Sequence, residues 1–288
     1  MRLCTLWAVT LSVCIITYNE EQNIGRTLAG VQELVRAVDG EIIIVDSGST
    51  DRTREIAGGY GAKVFVEPWK GFAAQKNSAI EKAGGEWVLL LDADEEVSPE
   101  LSFELQKTVL GPQIAHKFRQ TLPDGTQAPI PINGFLIPRK NHFLGRWIRH
   151  GGFWPDPKLR LFRRGTGRVV NRAVHEVVEV TEWGNRTISV VSPQLQNPLI
   201  HHAYPTLAGY LEHMNRYSSL GAGMRGPSGF SLVNIVLRPM LTFVYNYIFR
   251  LGFLDGREGL LLHLYHAGYV SWKYAKAWEL GRNEGYSQ

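Results

Sequence analysis

Cysteine is scarce in this chain: Cys4 and Cys14 are the only two among 288 residues. Two neighbouring cysteines build neither a disulfide framework nor a zinc site, so reduced thiols in a cytosolic protein are the simplest expectation. No G-x-G-x-x-G follows the first apolar run, which argues against a nicotinamide or flavin enzyme. No uninterrupted apolar stretch reaches the roughly 20 residues that a bilayer-crossing helix needs. No helix-turn-helix or RNA-binding motif is found, so no nucleic acid is expected as partner. Internal repeats and low-complexity segments are also absent. Met1–Thr17 is apolar behind one Arg but has no small-residue cleavage site before Tyr18, so it reads as leading into a strand rather than as a secretory signal.

What is present describes a folded globular protein, 44% hydrophobic and 20% charged, with room for one large α/β domain and an appendage or for two small domains. The formal net charge is only +4, but its distribution is uneven. Between Phe135 and Arg172 stand ten Lys and Arg against the single acid Asp156. Such a local excess suits phosphates, anionic lipid or nucleic acid; the alternative is a solvated basic face.

Strand and helix signals alternate through the first hundred residues. Leu11–Thr17 and Glu41–Val45 read as buried strands, and Ala62–Val66 and Trp87–Leu91 as a third and a fourth strand. Between them, helices are expected over Glu20–Val38, from Ser49-Thr50-Asp51 to Gly58 or Gly59, and over Phe72–Ala83, the last closed by Gly84-Gly85. Ser98-Pro99 starts another helix, with Ser as N-cap and Pro at its first turn. This order predicts a mostly parallel sheet covered on both faces, with ligands outside the carboxyl ends of the strands. Phe135–Ile137, Lys158–Phe162, Val177–Val180 and Ile188–Val191 read as later strands. From Leu207 the chain turns helical. Phe230–Leu254 is nearly all apolar and aromatic, broken by Arg238-Pro239, and Leu260–Trp278 is a second apolar stretch. Both suit helices lying in a membrane interface, with packing on the core or on a second subunit as the alternative.

Four motifs follow the strands. Asp92-Ala93-Asp94-Glu95-Glu96 leaves the fourth strand, and two carboxylates spaced i, i+2 suit Mg²⁺ or Mn²⁺ bridging to phosphate oxygens. A polar turn before the next helix is the alternative. Asp46-Ser47-Gly48-Ser49-Thr50-Asp51 leaves the second strand: Asp46 accepts from a base or ribose, Ser49 or Thr50 caps the helix, and capping alone does not require Asp46. Thr17-Tyr18-Asn19-Glu20-Glu21 leaves the first. Finally, Asn171-Arg172-Ala173-Val174-His175-Glu176 supplies an ionisable pair, with Glu176 as candidate general base and an exposed strand edge as the alternative.

Taken in order, these motifs resemble the family 2 glycosyltransferases of the GT-A fold, most closely the bacterial branch that includes lipopolysaccharide core glucosyltransferases. The likeness continues through Gly71–Asn77, Phe143–Arg146, His150-Gly151-Gly152, Arg160–Arg164 and Phe253–Gly256, and so spans nearly the whole chain. It departs in the long Pro-rich stretch Gly111–Pro131 and in Ala173, where a Pro is common. The resemblance implies an α/β GT-A domain over 1–205, of which about 1–110 bind a nucleotide-sugar and 111–205 face the acceptor. A helical, amphipathic region follows over 206–288. It also implies site residues. Thr17, Asn19, Glu20, Asp46, Lys76 and Asp92 would bind the nucleotide. Asp94, with Asp92 and His201, would hold Mg²⁺ or Mn²⁺. Glu176 would be the catalytic base, and Arg160, Arg163, Arg164 and His175 would face the diphosphate or the acceptor. The implied reaction is inverting transfer of glucose or another hexose from a UDP-sugar to a hydroxyl of a lipopolysaccharide-core or other lipid-linked glycan. The place is the cytoplasmic face of the inner membrane, by peripheral contact. The alternatives are transfer to a polyprenyl phosphate, or nucleotide-sugar binding without catalysis.

Overall fold

A computed structural model describes residues 9–111, 119–121, 126–129, 132–171, 176–180 and 192–285. The expected strand Ile188–Val191, together with Cys4, Arg172 and His175, lies outside them. The chain divides into two compact units. The first holds the residues up to Arg139 with 157–172 and 176–200; the second holds Lys140–Asp156 and the chain from His201 onward. A single boundary near 205 does not describe that division, because Lys140–Asp156 group with the C-terminal helices.

In chain order the first unit contains β1 (Leu11–Thr17), α1 (Ile24–Ala37), β2 (Glu41–Asp46), α2 (Thr53–Gly59), β3 (Lys63–Val66), α3 (Phe72–Glu81), β4 (Trp87–Leu91), β5 (Glu95–Val97) and α4 (Pro99–Leu110). Two short strands, β6 (Arg119–Thr121) and β7 (Gln127–Pro129), pair with each other, and β8 (Gly134–Ile137) follows. β9 (Arg139–Phe143) and β10 (Arg146–Trp147) lie almost wholly in the second unit. β11 (Lys158–Arg163), β12 (Gly167–Asn171) and β13 (Glu176–Val180) return to the first, before β14 (Leu199–Tyr204) leads out of it.

The central sheet has the order β3-β2-β1-β4-β11-β8. β1, β2, β3 and β4 run parallel, and β11 is antiparallel to both neighbours. The expected mostly parallel sheet is therefore present, with an antiparallel edge. β1, β2 and β4 read as nearly continuous apolar runs because their side chains alternate between two covered faces, whereas the edge strand β3 is largely exposed. Val13, Ile15, Ile44, Leu89 and Leu91 belong to a core with Leu28 and Leu34 of α1 and Leu101 and Leu105 of α4. Cys14, Ile43, Val45, Val88 and Leu90 belong to another with Ala73 and Ala79 of α3. Burial drives the Cys14 thiol pKa upward, and its S–H donates to the Ala79 carbonyl, so this cysteine is a core residue.

Three helix boundaries differ from expectation for local reasons. α1 starts at Ile24, not Glu20, because Asn19 takes a positive φ of 55° and residues 20–23 form a separate turn. α2 starts at Thr53. Ser49 and Thr50 do not cap it; Asp51 accepts from the Thr53 N–H at 3.0 Å instead. α3 ends at Glu81, before the glycine pair. Gly85 serves close approach: a Cβ there would lie 2.7 Å from the Ser12 nitrogen of β1. At α4 the expected cap is present, with Ser98 Oγ accepting from Leu101 N at 3.2 Å.

The second unit is built on α5 (Leu207–Arg225), α6 (Arg238–Val244) and α7 (Gly256–Gly285). β9 and β10 pair antiparallel, and β14 lies beside β9. Phe143, Ile148, Tyr210 and Leu262 form its core. Arg238-Pro239, which interrupts the apolar run in sequence, opens α6. Wider π-type turns over Val233–Leu237 and Tyr245–Phe249 flank α6, and the Ile235 carbonyl, one turn before Pro239, accepts from Ser271 Oγ at 2.7 Å. Among the described residues, no helix is long and apolar enough to cross a membrane.

Candidate functional site

The loops leaving β1 and β2 are bonded to each other. Asp46, fully buried at the tip of β2, accepts from Thr17 Oγ1 at 2.8 Å, Gly48 N at 3.0 Å, Ser49 N at 2.8 Å and the Ser49 hydroxyl. In return, Asn19 N donates to Ser49 Oγ at 2.9 Å, and Asn19 Oδ1 accepts from Thr50 N at 2.9 Å. Glu20 N donates to Thr53 Oγ1 at 2.7 Å, and Glu21 N to Asp51 Oδ2 at 3.1 Å. Gly48, at φ 89°, lets the chain turn around the Asp46 carboxylate. Thr17, Asn19 and Asp46 thus form one hydrogen-bonded loop pair at the carboxyl ends of two parallel strands, where ligands of such sheets bind.

The second cluster sits at the end of β4. Lys76 of α3, only 5% exposed, places Nζ 2.7 Å from Asp92 Oδ1. Arg160 of β11 bonds Asp92 Oδ2 on the other side and Glu95 Oε1 at 2.6 Å. Glu95 has no solvent exposure; it also receives Arg139 at 3.1 Å and accepts from the Asp92 N–H at 3.0 Å. Burial works against the Asp92 charge, but Arg160 and Lys76 more than offset it and hold the carboxyl well below its usual range. Burial likewise disfavours the Arg160 charge, and Asp92 and Glu95 reverse that, raising its pKa.

Asp94 is half-buried two residues on. Its charge is felt at Glu20, whose carboxyl is raised first by burial and then by Asp94, Asp51 and Asp92, while Asn23 pulls the other way. Four carboxylates therefore share one corner of the first unit. Among the described residues no group of three or more metal-ligating side chains is assembled. The donor chemistry nevertheless fits a hard divalent cation that takes one or two carboxylates from the protein and phosphate oxygens from its substrate.

The remaining expected residues are placed elsewhere. Arg163 pairs in register with Trp87 at the opposite end of β4, bonds Glu86, and lies over the Trp87 ring. Arg164 donates to the Ala83 carbonyl at 3.2 Å. At roughly 3.3 Å per residue, five positions along β4 separate both from the Asp92 end. Of the three arginines, the structure brings only Arg160 to the carboxylates. Glu176 opens β13, its backbone paired with Asn171; His175 lies outside the described residues. His201, in the second unit, has Nδ1 2.7 Å from Asn141 Oδ1. Asn141 donates through Nδ2 to the Phe153 carbonyl and to Asp156, which fixes its amide orientation. His201 Nδ1–H is therefore the donor in this bond, to Asn141 Oδ1.

Sequence reasoning missed Glu95, Arg139 and Gln75. Glu95 stands inside the carboxylate run, and its inward side chain is the anchor of Arg160. Gln75 precedes Lys76 on α3, is fully buried, and has both amide atoms without a hydrogen-bond partner among the described residues. A polar residue on the inner face of α3 was the available signal.

The family model "Glycosyl transferase family 2" matches residues 12–212. The lipopolysaccharide core biosynthesis glycosyltransferase LpsC of Rhizobium meliloti is 30% identical over 227 residues, 76% of this chain and 73% of that protein. An uncharacterized glycosyltransferase of Rickettsia typhi is 45% identical over 96 residues, which span about a third of each protein (33% and 32%). Among solved structures, a mannosyltransferase of Pyrobaculum calidifontis in complex with GDP-mannose and Mn²⁺ matches at 14% identity and a TM-score of 0.49, covering 93% of this chain and 86% of that one.

Proposed function

The chain belongs to glycosyl transferase family 2, and on that premise we propose that it moves a hexose from a UDP-sugar to a hydroxyl of a lipid-linked glycan acceptor, with inversion. One observation carries the reading: the Thr17–Asn19–Asp46 loop pair and the Lys76–Asp92–Arg160–Glu95 cluster both lie at the carboxyl ends of the parallel strands of one sheet. The LpsC relative supports a lipopolysaccharide-core acceptor.

In this reading the β1 and β2 loops receive the nucleoside, with Asp46 turned from its backbone donors toward the base. Asp92 takes the ribose while Lys76 and Arg160 keep it ionised; the same two cations occupy its oxygens, so the metal falls to Asp94. Mg²⁺ or Mn²⁺ there would offset charge on the departing diphosphate. The acceptor oxygen bonds to the anomeric carbon as the bond to the diphosphate oxygen breaks, and Glu176 takes the hydroxyl proton. Arg160, inside the cluster, positions Asp92 rather than touching the acceptor. The acceptor is reached at the cytoplasmic face of the inner membrane through the C-terminal helices.

Calorimetric titration of UDP, with and without Mn²⁺ or Mg²⁺, tests the donor site. Metal-dependent binding to wild type that Asp94→Ala abolishes is the expected result. Absence of UDP binding under every metal condition would sink the UDP-sugar assignment. Glu176→Gln is expected to keep UDP binding and lose turnover.

A further inference from the structure

The sequence places an apolar stretch at Phe230–Leu254, and the structure turns much of it outward. Along α6 and its flanking π-type turns, Val233, Leu237, Met240, Val244 and Ile248 recur at helical spacing, and each is 40% exposed or more. Phe249 is 73% exposed. A soluble surface rarely carries so continuous an apolar stripe without a partner. Charge is one-sided through this stretch and the later part of α5 before it. No Asp or Glu stands between Glu212 and Asp255, whereas Arg216, Arg225, Arg238 and Arg250 do.

We propose that this face lies in the headgroup layer of a bilayer containing anionic lipid, apolar stripe inward and arginines among the lipid phosphates. Three physical points select this occupant. No helix among the described residues can cross a membrane, so the stripe lies along the interface. Tyr245, 57% exposed, suits the boundary between acyl chains and headgroups. A second copy of the chain fits less well: a two-fold contact sets the same patch against itself, and arginines would meet arginines with no acid from the stretch to pair them. Anionic headgroups supply the missing charge.

The inference sharpens the reading of a lipid-linked acceptor, but its test uses neither donor nor acceptor, so the two fail separately. The full chain is sedimented with vesicles of phosphatidylcholine alone and of phosphatidylcholine with phosphatidylglycerol. Wild type is expected to pellet with the anionic vesicles, at least about tenfold more than with the neutral ones, and less at high salt. Phe249→Glu is expected to stay in the supernatant with unchanged thermal unfolding. Phe249→Trp is expected to show a blue-shifted emission when anionic vesicles are added. Wild type left in the supernatant, no emission shift, or Phe249→Glu pelleting like wild type would each overturn the proposal. So would a concentration-dependent dimer that Phe249→Glu dissolves while vesicles bind nothing.

Discussion

Asp92 shows how a single carboxylate is set by its neighbours. Its ionised form lies between Lys76 and Arg160, and Glu95 holds Arg160 from behind. The folded pKa is therefore below the unfolded value of 3.8. As acid is added, the unfolded chain binds this proton first, so the stabilisation is complete above about pH 4 and is lost as pH falls through the folded pKa. Urea unfolding of wild type should show stability dropping below pH 4. Asp92→Asn should be less stable at pH 7, because two buried cations lose a partner, and its decline below pH 4 should be shallower. An unchanged acid slope in the variant would show that other carboxylates dominate. The run Asp92–Glu96 was legible as a carboxylate cluster. The division of labour within it was not, because that follows from β11 lying antiparallel to β4, which puts Arg160 beside Asp92 and carries Arg163 away to Trp87.

At the scale of elements, β1, β2 and β4 were legible because both faces of each are covered, leaving an uninterrupted apolar run. β5 was not: Glu95–Val97 is three residues long and contains two acids. Helix starts were displaced wherever a polar side chain served a neighbouring loop instead of its own helix, as Ser49 serves Asp46 and Asn19. The glycine pair after α3 was read as a terminator, yet Gly85 answers to the tight passage of the chain against β1. Placing a Cβ 2.7 Å from Ser12 N and 2.8 Å from the Leu11 carbonyl carbon requires a backbone shift. Gly85→Ala should cost about 1–3 kcal/mol in chemical denaturation, as other overpacking substitutions do. Gly58→Ala, with nothing within 4 Å of the new Cβ, should be near neutral or stabilising. Equal effects at the two positions would refute the packing argument.

At the scale of the whole molecule, the chain crosses between its two units more than once, and the consequence is greatest for the second. The core of the C-terminal helices is completed by residues from far upstream. Phe143 and Ile148 come from the segment Lys140–Asp156 and pack with Tyr210 and Leu262. The same segment supplies the partners of Asp255, which is 1% exposed: the backbone N–H groups of Arg149 and His150, and His150 Nδ1 at 2.9 Å. Without that segment, Asp255 would lose these donors and the cover they give it, and Tyr210 would lose its edge-on contact with Phe143 at 5.2 Å. Sequence composition alone made the C-terminal third look like a separable helical region, because the residues that complete it lie far upstream. Residues 206–288 expressed alone should therefore keep helical far-ultraviolet dichroism while losing near-ultraviolet signal and a cooperative thermal transition, whereas the full chain shows both. A sharp transition in the isolated fragment would mean that α5 and α7 suffice, and that Phe143 and Ile148 fill the unit without specifying it.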